Sequence, residues 1–65
     1  MKVIVNAEVV EVDERMTVGG LLALLGFPEK GIAVALDWSV IPRSQWHTPL
    51  TDGVKVEVVT AVQGG

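Results

Sequence analysis

The last twelve residues, 54–65, have the sequence VKVEVVTAVQGG and carry the clearest pattern in the chain. Three valines, Val54, Val56 and Val58, alternate with charged residues. Such alternation is typical of a strand that packs one face on the core and turns the other to solvent. The pattern therefore predicts a half-buried final strand, which runs on through Ala61 and Val62 into a glycine terminus.

Val59 interrupts this alternation. Because successive side chains of a strand point to opposite faces, Val59 should face away from the core unless a bulge intervenes. With Ala61 and Val62 it would form an apolar patch beside the chain end, and we expect this patch to dock on a partner protein. The alternative is that the segment 41–50 covers this face of the sheet.

Residues 1–12 are predicted to form a β-hairpin, because they are rich in β-branched residues. Val3 and Val5 should share one face, and residues 6–8 should make the turn. The second strand would contain Val9, Val10 and Val12.

A short helix is predicted after this hairpin. Thr17 is suited to cap its N-terminus, and Gly26 is suited to end it in a left-handed conformation. The buried face would consist of Val18, Leu21, Leu22 and Leu25, which follow helical spacing. Gly19 and Gly20 oppose this helix, since each costs up to about 1 kcal/mol relative to alanine in a helix interior.

The middle of the chain contains an apolar run at residues 32–36, which predicts a central strand buried on both faces. A turn at residues 37–39 should lead to a short strand at 40–41, which Pro42 ends. Residues 43–46 are predicted to form one helical turn, and residues 51–53 a tight turn.

The order of elements predicts an α+β fold, a β-grasp (ubiquitin-like) arrangement. One helix would pack on one face of a mixed sheet of four to five strands, with the first and last strands as parallel central neighbours. We expect a β-grasp domain over residues 1–62 and a flexible tail over residues 63–65, because terminal residues beyond the last packed strand are usually mobile.

Composition excludes several functions. The net charge is −3 and only five residues are Lys or Arg, so no electrostatic footprint for nucleic acid is present. No apolar run reaches membrane-spanning length, and the N-terminal apolar run is too short for a signal peptide. The chain has no cysteine and one histidine, His47, which argues against a metal site and favours the cytoplasm. We expect no cofactor and a monomer when free.

The Gly64-Gly65 terminus suggests a chemistry that uses the main chain. Glycine has no Cβ, so such a terminus can enter a narrow channel and bring the Gly65 carboxylate to a bound nucleotide, with Gln63 and Gly64 threading behind it. Attack on the α-phosphate of ATP would make an acyl-adenylate. A sulfur nucleophile would then displace AMP and leave a thiocarboxylate.

The chain resembles the ThiS family, the sulfur carriers of thiamine biosynthesis. The resemblance covers the whole chain and is most specific at residues 40–46, VIPRSQW, with Asp52-Gly53 and Gly64-Gly65. It also includes Val5-Asn6, the helix leucines and residues 33–36. It implies that an E1-like adenylyltransferase (ThiF type) adenylates Gly65 and that a thiazole synthase (ThiG type) accepts the sulfur. The chain would then be a carrier and not an enzyme.

Three other functions stay open. One is a sulfur carrier for molybdopterin synthesis, similar to MoaD. Another is a protein modifier that joins Gly65 to lysines, as ubiquitin does. The last is a β-grasp interaction module with an inert tail.

Four side chains have alternative roles. Trp38 either folds over the sheet or is exposed for a partner. Arg43 is expected to hold the Pro42 turn by bonding carbonyls or a carboxylate, although an acidic partner surface is the alternative. Trp46 is expected at the core boundary, and His47 on the surface without a catalytic role.

Overall fold

Five strands and one α-helix are present in residues 1–60, the part of the chain that the computed structural model describes. In chain order the elements are β1 (Lys2–Val5), β2 (Glu8–Glu11), α1 (Val18–Leu24), β3 (Ile32–Leu36), β4 (Ser39–Ile41), a 3₁₀ helix (Arg43–Gln45) and β5 (Lys55–Thr60). The predicted helical turn after Pro42 is therefore confirmed, as is the turn that leads into β5.

The strands form one mixed sheet in the order β2-β1-β5-β3-β4. β1 and β5 are parallel, with Val5 opposite Val56, and all other neighbours are antiparallel. The predicted β-grasp architecture, including the parallel pair of first and last strands, is confirmed.

β3 is an inner strand, as predicted, and lies between β5 and the edge strand β4. The predicted burial of β3 on both faces is wrong. Only Val34 of β3 is buried, whereas Ala33 is exposed. The reason is that α1 covers one face of the sheet only, so every second residue of the apolar run faces outward.

The core lies between α1 and the covered face of the sheet. Val3, Val18 and Leu21 have no solvent exposure. The complete set of buried apolar residues is Val3, Val5, Val12, Val18, Leu21, Leu22, Val34, Leu50, Val54, Val56 and Val58. The valines predicted to face inward from β1 and β5 therefore all do so.

Both ends of α1 are capped as predicted. The Thr17 Oγ1 atom accepts a hydrogen bond from the Gly20 N–H at 3.1 Å. At the other end Gly26 has a φ of 79°. Its N–H donates to the Ala23 carbonyl at 3.2 Å, and the Phe27 N–H donates to the Leu22 carbonyl at 2.9 Å. This is a Schellman arrangement.

Leu25 does not belong to the buried face, in contrast to the prediction, and is 39% exposed. It is the C-cap residue, since α1 ends at Leu24. Phe27 packs against the core in its place after the chain reverses at Gly26. The helical spacing thus fails at the residue where the helix stops.

Two of the hairpin turns are built from non-glycine residues with positive φ. Asn6 and Ala7 have φ values of 47° and 71°, and Asp37 and Trp38 have the same values. Positive φ at both central residues is what a two-residue type I′ hairpin needs. The predicted first turn was one residue too long, because Glu8 already pairs with Val5 as the first residue of β2.

Candidate functional site

The candidate site is the end of the sheet at which β5 finishes, and we call it the tail end. β5 ends at Thr60, and the predicted site residues Ala61, Val62, Gln63, Gly64 and Gly65 lie outside the described residues. The proposed boundary between domain and tail, at residues 62 and 63, lies outside them as well. The structure defines the end of β5, which directly precedes this segment in the sequence.

The last residues of β5 are held from both sides. On one side β3 pairs with them, with Ala33 opposite Val59 and Ile32 opposite Thr60. On the other side β1 has ended, and the Asn6 side chain takes its place. The Asn6 amide donates to the Val58 carbonyl at 3.2 Å and its Oδ1 accepts the Val58 N–H at 2.8 Å. The chain is therefore directed up to Thr60, five residues before Gly65.

Val59 lies on the uncovered face of the sheet and is 63% exposed, which confirms the predicted orientation. The segment 41–50 does not cover it, so that alternative is wrong. By strand register this face continues through Ala33 and Ala35 to Val40, which is 73% exposed. We call Ala33, Ala35, Val40 and Val59 the open face. A docking role for it stays a prediction.

Trp38 is exposed, which decides between its two alternatives: 74% of the residue is accessible. It lies in the β3–β4 hairpin, held against β5 by Asp37, whose Oδ1 accepts the Lys55 N–H at 3.0 Å. Lys55 and Thr60 are at opposite ends of β5, a separation of about 17 Å at the usual rise per residue. The structure therefore does not bring Trp38 to the tail end, although Val59 is there.

Trp46 is half-buried and packs against the core, as predicted. The Arg43 Cζ atom lies 5.6 Å from the centroid of the Trp46 ring, within the range of a cation–π interaction. The hydrogen bond or ion pair expected for the Arg43 side chain is not found within residues 1–60, where its partner is the ring. His47 is exposed.

Residues 1–60 form neither a metal-binding cluster nor a membrane-spanning helix. No group of three His, Cys, Asp or Glu side chains in this range is placed to hold a metal ion. None of the helices formed by the described residues is long and apolar enough to cross a membrane.

Two features of the site were not predicted. The pairing of Asn6 with Val58 joins residues 52 positions apart, and only the identity of a polar residue at a turn hinted at it. Val40 belongs to a strand of three residues, too short to show alternation. The regular spacing in 54–58, by contrast, was sufficient to place Val59.

Comparisons with known proteins agree with this geometry. The ThiS family matches residues 3–65. A crystal structure of the thiamine biosynthesis protein (ThiS) from Geobacter metallireducens superposes with a TM-score of 0.84 at 30% identity and full coverage of both chains. An NMR structure of a thiamine biosynthesis protein from the same organism has a TM-score of 0.79 at 30% identity, covering 100% of this chain and 88% of that one.

A further relative is a thiazole synthase from Paramagnetospirillum magneticum, which is 33% identical over 66 residues. The match includes all of this chain but only 20% of that protein, so the chain spans about a fifth of the curated relative's length. With the family matched over nearly the whole sequence and the fold shared end to end, the chain belongs to the ThiS family of thiamine biosynthesis proteins.

Proposed function

We propose that this chain carries sulfur as a thiocarboxylate on Gly65 for the formation of the thiazole of thiamine. The observation that carries the proposal is the end of β5. A strand at the centre of the sheet is paired through Thr60, and Gly64 and Gly65 follow four and five residues later in the sequence. Membership of the ThiS family supports a role for this terminus in sulfur transfer.

The reaction needs no catalytic side chain from this protein. A Gly65 carboxylate oxygen attacks the α-phosphorus of ATP, and pyrophosphate leaves. The resulting acyl-adenylate is a strong acyl donor, and a sulfur nucleophile displaces AMP to give the thiocarboxylate. Transfer to the sulfur acceptor breaks the C–S bond at Gly65, and an oxygen atom from the acceptor substrate or from water takes the place of sulfur and restores the carboxylate. The chain is thus a substrate of an E1-like adenylyltransferase (ThiF type), which supplies the catalysis. ATP and this enzyme would be met in the cytoplasm.

Thiazole synthase (ThiG type) is the proposed sulfur acceptor enzyme. The relative from Paramagnetospirillum magneticum supports this choice, because its name is thiazole synthase and a fifth of its length matches this chain. Joining a carrier to the enzyme that uses it raises the effective concentration of each for the other.

An enzyme that holds Gly65 must also contact the folded domain. Residues 61–65 span at most about 17 Å when fully extended. The binding surface therefore has to begin within that distance of Thr60. Val59 and Ala33 of the open face lie there, and they are apolar and free of cover by residues 1–60. We assign them to docking, with Ala61 and Val62 continuing the surface and Trp38 extending it at the far end.

The intact mass of the protein tests this proposal directly. The protein would be incubated with ATP, a sulfur donor and the adenylyltransferase of its own host, and a Gly65 deletion would run beside it. We expect a mass increase equal to the exchange of one oxygen for sulfur in the full chain and none in the deletion. Adding thiazole synthase and its substrates should return the mass to its starting value.

The outcomes also separate the competing functions. A thiocarboxylate that thiazole synthase cannot discharge, but molybdopterin synthase can, would assign the carrier to the other pathway. Conjugates on lysines of other proteins would indicate a modifier. An unchanged mass with an adenylyltransferase that is active on its known carrier would contradict the proposal.

A further inference from the structure

A second feature at the tail end of the sheet is a cleft between α1 and the 3₁₀ helix, with a volume of about 140 Å³. Its walls include Leu22, Phe27, Glu29, Arg43 and Trp46. Most of this lining is apolar. Arg43 and Glu29 are exposed, so they stand where the cleft meets solvent.

Two hydrogen-bond donors of this cleft lack acceptors among residues 1–60. The Trp46 Nε1 atom is buried and has no partner there. Nor do residues 1–60 offer Arg43 a carboxylate or carbonyl; its guanidinium lies over the indole ring. The guanidinium N–H groups of Arg43 are exposed and open to an acceptor from outside, whereas the buried Nε1 atom of Trp46 is out of its reach.

Strand register places this cleft at the same end of the sheet as Thr60. β3 starts at Ile32, which is opposite Thr60, the last residue of β5. β4 ends at Ile41, opposite Val34, and therefore runs toward the same end of the sheet. Arg43 follows two residues later. A protein that takes residues 61–65 into its own channel approaches this end of the domain.

We propose that the rim of the cleft receives a carboxylate side chain of the adenylating enzyme, with Arg43 as its donor and the Trp46 ring as the surface on which Arg43 lies. This inference rests on the proposed function. A carboxylate fits because the guanidinium of Arg43 is a donor only and carries a positive charge, and guanidinium–carboxylate pairs are among the strongest hydrogen-bonded contacts. The enzyme would insert an Asp or Glu residue at the rim of the cleft as the tail enters.

The adenylation step is the one that most needs such a contact. The Gly65 carboxylate is negative when it approaches the triphosphate, and residues 61–64 carry no charge that could offset the repulsion. Binding energy from remote parts of a substrate can be used to hold reacting groups together against such costs. A charged contact on the folded domain supplies it, and later sulfur transfer involves no approach to a triphosphate.

Glu29 allows the charge of the incoming group to be tested, because it lines the same cleft as Arg43 and carries the opposite charge. If the incoming group is a carboxylate, Glu29 repels it, and Glu29→Gln should strengthen binding. If Glu29 instead serves to hold Arg43, the same substitution should weaken binding. The two explanations therefore predict opposite changes from one variant.

The experiment measures ATP–pyrophosphate exchange by the host's adenylyltransferase as a function of carrier concentration. Arg43→Gln should lower kcat/KM by roughly 10-fold, since it removes a charge-assisted hydrogen bond. Glu29→Gln should raise it by about 2-fold. Lys2→Gln is the control. It also removes one exposed cation, but at the start of β1, at the end of the sheet away from Thr60, and should change kcat/KM by less than about 2-fold.

Several results would overturn the inference. One is an Arg43→Gln carrier with the exchange kinetics of Lys2→Gln. Another is a lower urea midpoint for Arg43→Gln with a kcat/KM that recovers at low temperature, which would make the residue structural. A third is normal adenylation with failed sulfur transfer to thiazole synthase, which would give the cleft to that enzyme. If the wild-type carrier supports no exchange, the proposed function itself is wrong.

Discussion

The side chain of Asn6 pairs with the backbone of Val58 as though it were one more residue of β1. Its amide donates to the Val58 carbonyl at 3.2 Å, and its Oδ1 accepts the Val58 N–H at 2.8 Å. The backbone of Asn6 meanwhile has a φ of 47° and starts the hairpin turn. Asparagine suits both tasks, because it carries a donor and an acceptor and tolerates left-handed backbone.

Replacing Asn6 by glycine should therefore destabilise the fold although the turn conformation is kept. Loss of both hydrogen bonds should lower the free energy of unfolding by about 1–3 kcal/mol, since the Val58 groups are then left without partners. Ala7→Gly is the matched control. Ala7 has a φ of 71°, and relief of that conformation should leave the protein as stable or more stable by about 1 kcal/mol. Urea denaturation measures both. Equal losses in the two variants would show that the side-chain pairing contributes nothing.

Much of the fold could be predicted because its signals are local. Val54, Val56 and Val58 alternate, and Thr17 and Gly26 mark the ends of one helix. The burial of β3 could not be predicted in the same way. An apolar run indicates a strand, but the number of layers that cover it depends on the whole chain, and here α1 covers one side only.

The candidate site divides along the same line. The outward direction of Val59 followed from the strand period, and its exposure agrees. The contact of Arg43 with the Trp46 ring did not follow, because sequence spacing cannot distinguish a guanidinium over a ring from one that bonds carbonyls. Neither could the sequence show that an exposed Trp38 lies at the end of β5 opposite to the tail.

The two helix glycines should respond differently to alanine. A Cβ on Gly19 would lie 3.5 Å from the Trp46 carbonyl oxygen, an ordinary contact. Gly19→Ala should therefore raise the free energy of unfolding by about 0.5 kcal/mol through helix propensity. A Cβ on Gly20 would lie 2.9 Å from the Met16 sulfur and 3.2 Å from the capping Thr17 Oγ1. Gly20→Ala should be less stable than Gly19→Ala by about 1 kcal/mol, the size of a lost N-cap.

Thermal and urea unfolding of the two alanine variants decide the order. The Gly20→Ala variant combined with Met16→Ala removes the sulfur contact but keeps the crowding at Thr17. If the double variant recovers the stability of Met16→Ala alone, the cap is unaffected. If Gly20→Ala proves the more stable single variant, the proposed crowding is wrong.

Val59→Glu should impair docking without unfolding the domain. Val59 is 63% exposed, and a surface substitution of this kind usually changes the free energy of unfolding by about 0.5 kcal/mol. A charge in an apolar contact with the adenylyltransferase should raise the KM for the carrier by about 10-fold. Pyrophosphate exchange measures this effect.

Val9→Glu is the matched control for Val59→Glu. Val9 is 67% exposed on the same side of the sheet, but it pairs with Ile4 at the end away from the tail. Its KM should match that of the wild type. Equal effects of the two substitutions, or none from either, would remove the assignment of Val59 to docking.

Trp38→Gly should move stability and binding in opposite directions. Trp38 has a φ of 71° and 74% of it is accessible, so glycine relieves a left-handed conformation that costs about 1–2 kcal/mol while losing little packing. We expect the free energy of unfolding to rise by about 0.5–1 kcal/mol after the entropy cost of glycine.

If Trp38 extends the docking surface, the KM for adenylation should rise several-fold in the Trp38→Gly variant. Trp38→Asn should behave alike, because asparagine also tolerates this backbone conformation. A fall in stability would mean that the indole packs on the sheet, and an unchanged KM would remove Trp38 from the interface while leaving Val59 in it.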